Sequence, residues 1–436
     1  MIMLEKILQE KSVNIGKRSF VPKTEGAIRA LADRHRKSCR SWGWAVLLIF
    51  ILMTITQGCA TTPYRNPVPE NLVNDATIPG YSANIRFWGD GPPPYMERFY
   101  TATDAEIKEF FPAMVNREHV YLAISGGGAN GAYGVGSLNG WTATGTRPEF
   151  TVVTGISSGA LIAPFAFLGS EYDARLKEAF TTMTTKDVAK WRGGLGALNS
   201  DTAADTAPLK AHIARHVDQE IIDAIAREFR RGRRLLIATT NLDALRPVIW
   251  NITYIAASGR PDAVELIRTI MLASASIPAV FPPQYIPVEA GGKGYDEIHV
   301  DGGAVAQSFL YPLGVDFTII KKRLKVKGNP KSYIIRNSRL RPDWAAVDPP
   351  KTLTIAGRAA ASMIRTQGLG DLFCMYLASL RDGLDYHWTA IPDDFYEKKK
   401  EMFDPEYMRK LVKVGYQRAK SGTAWQTKPP NYRVKY

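Results

Sequence analysis

Three short stretches carry residues able to do chemistry together. Tyr121–Gly136 reads YLAISGGGANGAYGVG, Thr154–Gly159 reads TGISSG, and His299–Gly303 reads HVDGG. Ester hydrolysis needs a nucleophile, a base that takes its proton, and donors aimed at the oxyanion that develops. Ser157 lies between Gly155 and Gly159, which free the backbone for a tight strand-to-helix turn and present the hydroxyl at a helix start. Gly126, Gly127 and Gly128, with Gly131 after them, leave a row of amides without side-chain cover at another helix start. The helix dipole favours negative charge there. Asp301 closes an apolar strand ahead of Gly302 and Gly303, so its carboxylate can approach another backbone and act as general base. The expected chemistry is acyl transfer through a serine.

Each residue also has a plainer reading. Ser157 can merely cap its helix, and Asp301 can merely order its own turn. Gly126-x-Gly128-x-x-Gly131 fits a dinucleotide fingerprint as well, but that fingerprint calls for an acid at the end of the next strand. Here that strand ends in Gly155-Ile156-Ser157, and Glu149 stands at its beginning. His299 shares a strand face with Asp301 and reads as a structural histidine before a triad member. His387 follows Asp301, as in the Ser…Asp…His chain order, but Asp385-Tyr-His-Trp in a helical tail is unlike a catalytic loop. Alternation sends Asp296 and Glu297 to opposite faces of one strand, which argues against a metal shared with His299 and Asp301.

The elements that must position these residues alternate between strand and helix. Strands are expected at 120–125, 150–154, 234–240 and 297–301, with Pro247–Ser258 as a strand and its return. Phe317–Leu324 and Lys331–Arg336 read as two further strands. Helices are expected at 104–111, capped by Thr103 with Glu106, and at 132–141, 160–168, 174–183, 210–231 and 265–274. Pro164 should kink the third of these. The small residues of 132–141 are tolerable if that helix packs very close to a sheet. From Lys351 the pattern turns helical at 351–365, 371–382 and 404–420. Such alternation predicts an α/β fold, a mostly parallel sheet covered on both faces.

The 436 residues have ample length for a core, and 45% hydrophobic against 22% charged residues describes a globular chain. The net charge is +14; residues 1–58 hold 10 Lys/Arg against 4 Asp/Glu, leaving an excess of +8 beyond. That excess favours an anionic surface. No zinc-finger spacing or basic recognition helix points to nucleic acid. Three cysteines, Cys39, Cys59 and Cys374, make no disulfide framework. Basic Arg34–Arg40 and the apolar run Trp42–Thr56 fit an export signal, the run being too short to span a bilayer. Gly58-Cys59 looks like a bacterial lipoprotein cleavage site, although Thr56 stands where leucine is usual. By that resemblance Cys59 is lipidated and the body is held on the periplasmic side of the envelope; Ala60, not Asp, favours the outer membrane. An uncleaved anchor is the plainer reading.

In combination, GGGANG, GISSG and DGG resemble the patatin-like phospholipases over about Val120–Gly314. Thr239–Asp243 with Arg246-Pro-Val, and Ser274-x-Ser276-Ile-Pro278, add to the likeness. The resemblance implies a three-layer α/β/α fold with a helical C-terminal extension, and lipid acyl hydrolysis by a dyad. Ser157 would be the nucleophile, Asp301 the proton acceptor, and the amides of Gly126–Gly128 the oxyanion hole, with no cofactor or metal. Four parts follow: a signal or anchor at 1–58, a linker and arm at 59–119, the catalytic domain at 120–314, and strands and helices at 315–436. Asn130 stands where the family's glycine loop usually has Lys or Arg, which leaves open phospholipid against neutral ester. An acyltransferase with the same dyad, or a silent lipid-binding envelope lipoprotein, is the alternative.

Overall fold

Alternating side chains build the sheet. On β2 (Val120–Ile124), Leu122 and Ile124 enter one core while Tyr121 and Ala123 enter another on the opposite face. The same division recurs on β8 (Lys331–Arg339), where Ile335 and Ile334 part company. A sheet apolar on both faces must be covered on both, which is the three-layer arrangement. The computed structural model describes residues 65–191 and 204–432. The segment expected to be an export signal, and Cys59 with it, lie outside the described residues.

Nine strands form the sheet among the described residues. Besides β2 and β8 they are β1 (Arg86–Trp88), β3 (Val152–Gly155), β4 (Arg234–Asn241), β5 (Arg246–Asn251), β6 (Gln284–Ala290), β7 (Lys293–Asp301) and β9 (Asp385–Ile391). The order is β1-β5-β4-β3-β2-β8-β9, and β7 pairs with both β4 and β6. The run β9-β8-β2-β3-β4 is parallel; β1, β5, β6 and β7 join antiparallel. On one face lie α1 (Ala132–Thr142), α2 (Ser158–Leu168), α3 (Ala263–Ser274) and α6 (Pro405–Lys420). On the other lie α4 (Phe317–Arg323) and α5 (Thr352–Asp382). Among the described residues no helix is long and apolar enough to cross a membrane.

Several expectations need correcting. Phe317–Leu324 is a helix, because Asp316 accepts from the amides of Thr318 and Ile319 and so starts one. The pattern at 210–231 is two helices, Ala207–His216 and Gln219–Arg230, since the Asp218 side chain caps a new start. After β5 the chain enters a short helix, Ile252–Ala256, capped by Asn251, and does not return as a strand. The helices expected at 351–365 and 371–382 are one, α5, continuous through Gly368 and Gly370. Residues 385–391 are the edge strand β9, so His387 is not on a helix. The glycines of α1 face a helix more than the sheet: a Cβ at Gly136 or Gly140 would overlap the Val412 or Tyr416 carbonyl of α6.

Candidate active site

Strand pairing along β4 brings the two chemical residues together. β3 pairs with the first half of β4, ending at Gly155 opposite Ile237. β7 pairs along the second half in the opposite direction, with Asp301 opposite Thr239. The end of β3 and the end of β7 therefore meet about 7 Å apart along one neighbour, two residues of strand rise. Gly155 leads to Ser157, and β7 delivers Asp301, so the hydroxyl comes near enough to the carboxylate to favour its charged form.

Ser157 has φ 56° and ψ −125°, a region that costs a side-chain-bearing residue strain. Its surroundings hold it there. The Ser157 amide donates to Ser274 Oγ at 3.0 Å, and that hydroxyl donates to the Ala238 carbonyl at 2.7 Å. A Cβ at Gly155 would lie 2.5 Å from the Gly159 carbonyl oxygen, and one at Gly159 would overlap the Ile124 carbonyl. The turn thus needs glycine on either side of the serine. Ser157 is 8% exposed and Asp301 5%.

The carboxylate is held as firmly. The Gly303 amide donates to Asp301 Oδ1 at 2.7 Å, the Asp301 amide donates to the Ser276 carbonyl at 2.9 Å, and Thr240 Oγ1 donates to the Asp301 carbonyl at 3.0 Å. A Cβ at Gly302 would stand 2.6 Å from the Ala238 carbonyl oxygen. Burial pushes the Asp301 carboxyl up to about 6, against the opposing pull of the Ser157 hydroxyl and the Gly303 amide. A carboxylate of that basicity is matched to taking a proton near neutrality.

The glycine loop lies against the serine: a Cβ at Gly126 would sit 3.0 Å from Ser157 Cβ and 3.6 Å from Oγ. The three amides are not equivalent. That of Gly126 donates to the Gln307 carbonyl at 3.3 Å, whereas those of Gly127 and Gly128 meet no acceptor among the described residues. Gly128 has φ 56°, and Gly131 leaves no room for a Cβ, which would fall 2.8 Å from the Phe180 ring. Asn337 braces the loop from β8. Its amide nitrogen Nδ2 donates to the Ser125 carbonyl at 2.8 Å, and its Oδ1 accepts from Gly134 at 3.0 Å.

The histidines stand elsewhere. His299 is buried, with Nδ1 against Thr239 Oγ1 and Nε2 against Glu297 Oε2, both at 2.9 Å, and burial depresses its basicity. His387 stacks on Tyr333 at 4.6 Å on the edge strand. Glu297 turns to Arg86 and His299 while Asp296 turns to Asn66. Sequence reading missed Asn337 and Gln307, which carry no local signature. It noticed Ser274 and Ser276 as a motif without seeing that one end of α3 clamps both Ser157 and Asp301.

A parallel-centred sheet under a strained serine turn, with an acid and a glycine loop beside it, defines an α/β protein of the acyl-hydrolase type. Residues 122–313 match the model of the patatin-like phospholipase family. Among solved structures it is similar to VipD from Legionella pneumophila, at 12% identity and a TM-score of 0.36, over 71% of this chain and 67% of that one. No curated protein matches.

Proposed function

We propose that this chain is a serine lipid acyl hydrolase of the phospholipase A or esterase type, acting in lipid catabolism or envelope lipid remodelling. The observation that carries the reading is the convergence of strained Ser157 and buried Asp301 at two strand ends on one edge of β4, with burial pushing the Asp301 carboxyl up to about 6. Ser157 Oγ attacks the acyl carbonyl as its proton passes to Asp301, and the oxyanion is received by the open amides of Gly127 and Gly128. The alcohol or lysolipid leaves with the proton from Asp301. A water molecule then gives its proton to Asp301 and its hydroxide to the acyl carbonyl, and Asp301 returns that proton to Ser157 Oγ as the fatty acid leaves. A cavity of about 190 Å³ adjoins the Asp301 turn, lined by Ala238, Gly302, Val305, Phe309 and Met375. Its lining suits an acyl chain.

Ser157→Ala and Asp301→Asn should each lower turnover of a p-nitrophenyl butyrate by roughly four to six orders of magnitude while the circular dichroism stays unchanged. Full activity in either variant removes the assignment. Labelling of Ser157 by a fluorophosphonate separates an enzyme from a silent lipid-binding protein, and product analysis with an acceptor lipid separates hydrolase from acyltransferase. Anchoring through Cys59 at the periplasmic side of the envelope, with outer-membrane sorting, belongs to the same proposal on the strength of the sequence. Fractionation of a Cys59→Ser chain tests it.

A further inference from the structure

A larger cleft, of about 570 Å³, is lined by Gly126, Gly127 and Asn130 of the glycine loop. Its other walls come from the end of β8, the segment after it, α5 and the stretch from the end of β9 to α6, and they are strongly basic. Arg336, Arg341, Arg358, Arg365 and Lys399 line it, and among the described residues none of them has a carboxylate within 4 Å. Arg339, also in the wall, is paired with Asp343.

Arg336 is the telling residue. It is only 4% exposed, yet its Nε has no hydrogen-bond partner among the described residues. Its Nη2 reaches the Arg365 carbonyl at 3.5 Å, and the Arg365 charge opposes its own. Asp371 is the acid whose field reaches Arg336, but its carboxylate is engaged by the amides of Gln307 and Ser308 at 2.7 and 3.2 Å. A Cβ at Gly368 would overlap the Arg336 guanidinium, so the helix keeps a glycine where this cation lies against it. Burying a cation without a counter-ion costs free energy unless an anion arrives to pair with it. Guanidinium groups match phosphate oxygens in geometry as well as charge.

We propose that this cleft is a phosphate site that takes the head group of the lipid substrate, and that the preferred head group carries two negative charges, as a phosphomonoester does. The glycine loop connects the cleft to the serine: Gly126 and Gly127 line the cleft, and Gly126 lies against Ser157. Asn130 brings no charge of its own, its Oδ1 being held by the Tyr407 hydroxyl at 2.8 Å, so the cations come from β8, the segment after it, α5 and Lys399. A lipid fits better than a soluble phosphate because the same segments leave Trp344, Ile355, Met363 and Ile364 exposed. The inference rests on the acyl-hydrolase reading for its substrate, but not for its binding.

The test uses the full chain. Turnover of phosphatidate is compared with that of diacylglycerol bearing the same chains, in mixed micelles, for the native chain, Arg341→Gln/Arg358→Gln, Arg336→Gln, and the exposed pair Lys322→Gln/Lys327→Gln. The arginine pair should lower the phosphatidate-to-diacylglycerol ratio about tenfold or more, through KM, with the lysine pair leaving the ratio alone. An unchanged ratio in the arginine pair, or an equal fall in the lysine pair, overturns the proposal. Arg336→Gln should act in the same direction, and the surface pair decides if that buried change unfolds the chain. Vesicle binding by Ser157→Ala protein is the second arm. Phosphatidate vesicles should bind more tightly than phosphatidylcholine vesicles, and the arginine pair should remove the difference. Binding of glycerol 3-phosphate without vesicle binding assigns the cleft to a soluble anion and overturns the head-group reading. If the native chain hydrolyses neither lipid, the acyl-hydrolase reading falls while vesicle binding still decides the site.

Discussion

At the scale of single residues, the site is a balance between strain and restraint. Asp301 is a carboxyl whose folded-state value, about 6, lies above its ordinary 3.8 because burial disfavours the charge. Two consequences follow in opposite senses. As a base it must be ionised, so kcat/KM for p-nitrophenyl butyrate should rise with pH and level off above about 6. As a buried charge it costs stability: its contribution is fully favourable below pH 3.8 and is lost as pH rises through about 6. Asp301→Asn should therefore be more stable than the native chain at pH 8, by up to about 3 kcal/mol in urea unfolding. Ser274 is a positioning residue, since its hydroxyl meets the Ser157 amide and not the substrate. Removing it as Ser274→Ala leaves a buried amide unpaired, at about 1–3 kcal/mol of stability, and loosens the turn. We expect kcat to fall about tenfold or more with KM little changed, a split that destabilisation alone does not produce. Ser274→Thr, which keeps the hydroxyl, should recover part of the loss.

At the scale of elements, glycine decides which surfaces can meet. α1 and α6 approach until the Gly136 and Gly140 positions touch the Val412 and Tyr416 carbonyls, and Gly415 meets the Tyr133 carbonyl in return. Gly136→Ala should cost about 1–3 kcal/mol, read as a lower urea midpoint, because neither backbone can yield. Local signals served well where one cap or turn dominates: Thr103 and Glu106 form the capping box that their spacing implies. The hairpin of β6 and β7 was equally legible in Ala290-Gly-Gly-Lys293, with φ 54° and 73° at the two glycines, and reading that region for Asp301 alone passed over it. Phe317–Arg323 was not legible from its pattern, because β-branched residues suggest a strand until the Asp316 cap is weighed.

At the scale of the whole molecule, the N-terminal arm is part of the fold. Arg86 of β1 pairs with Glu297 of β7, Arg65 with Asp243, and Asp90 with Arg246. Thr77 bridges Glu289. Glu297 connects the arm to the site's own strand. Burial opposes its ionisation, but the His299 hydrogen bond and the Arg86 guanidinium outweigh that and hold its carboxyl down at about 2. Its contribution is present above pH 4.5 and lost as pH falls through about 2. Arg86→Met should destabilise the chain at pH 7 by about 3–5 kcal/mol, and Glu297→Gln added to it should restore part, since the cost is an unpaired buried charge.

The sequence by itself determined the local pieces: two glycine-flanked turns at strand ends, an acid before a third, and an alternating order of elements that calls for a covered sheet. Such features depend on neighbours a few positions away, where backbone freedom and helix caps act. Only the tertiary structure decided that β3 and β7 share one edge of β4 and end face to face, which joins Ser157 to Asp301 across 144 residues of chain. It alone made Gly126 unlike Gly127, gave Ser274 its hold on the nucleophile's amide, and gathered arginines from β8, α5 and the segment between them around one cleft. Pairing register and long-range burial settle those outcomes, and neither is written in any local stretch.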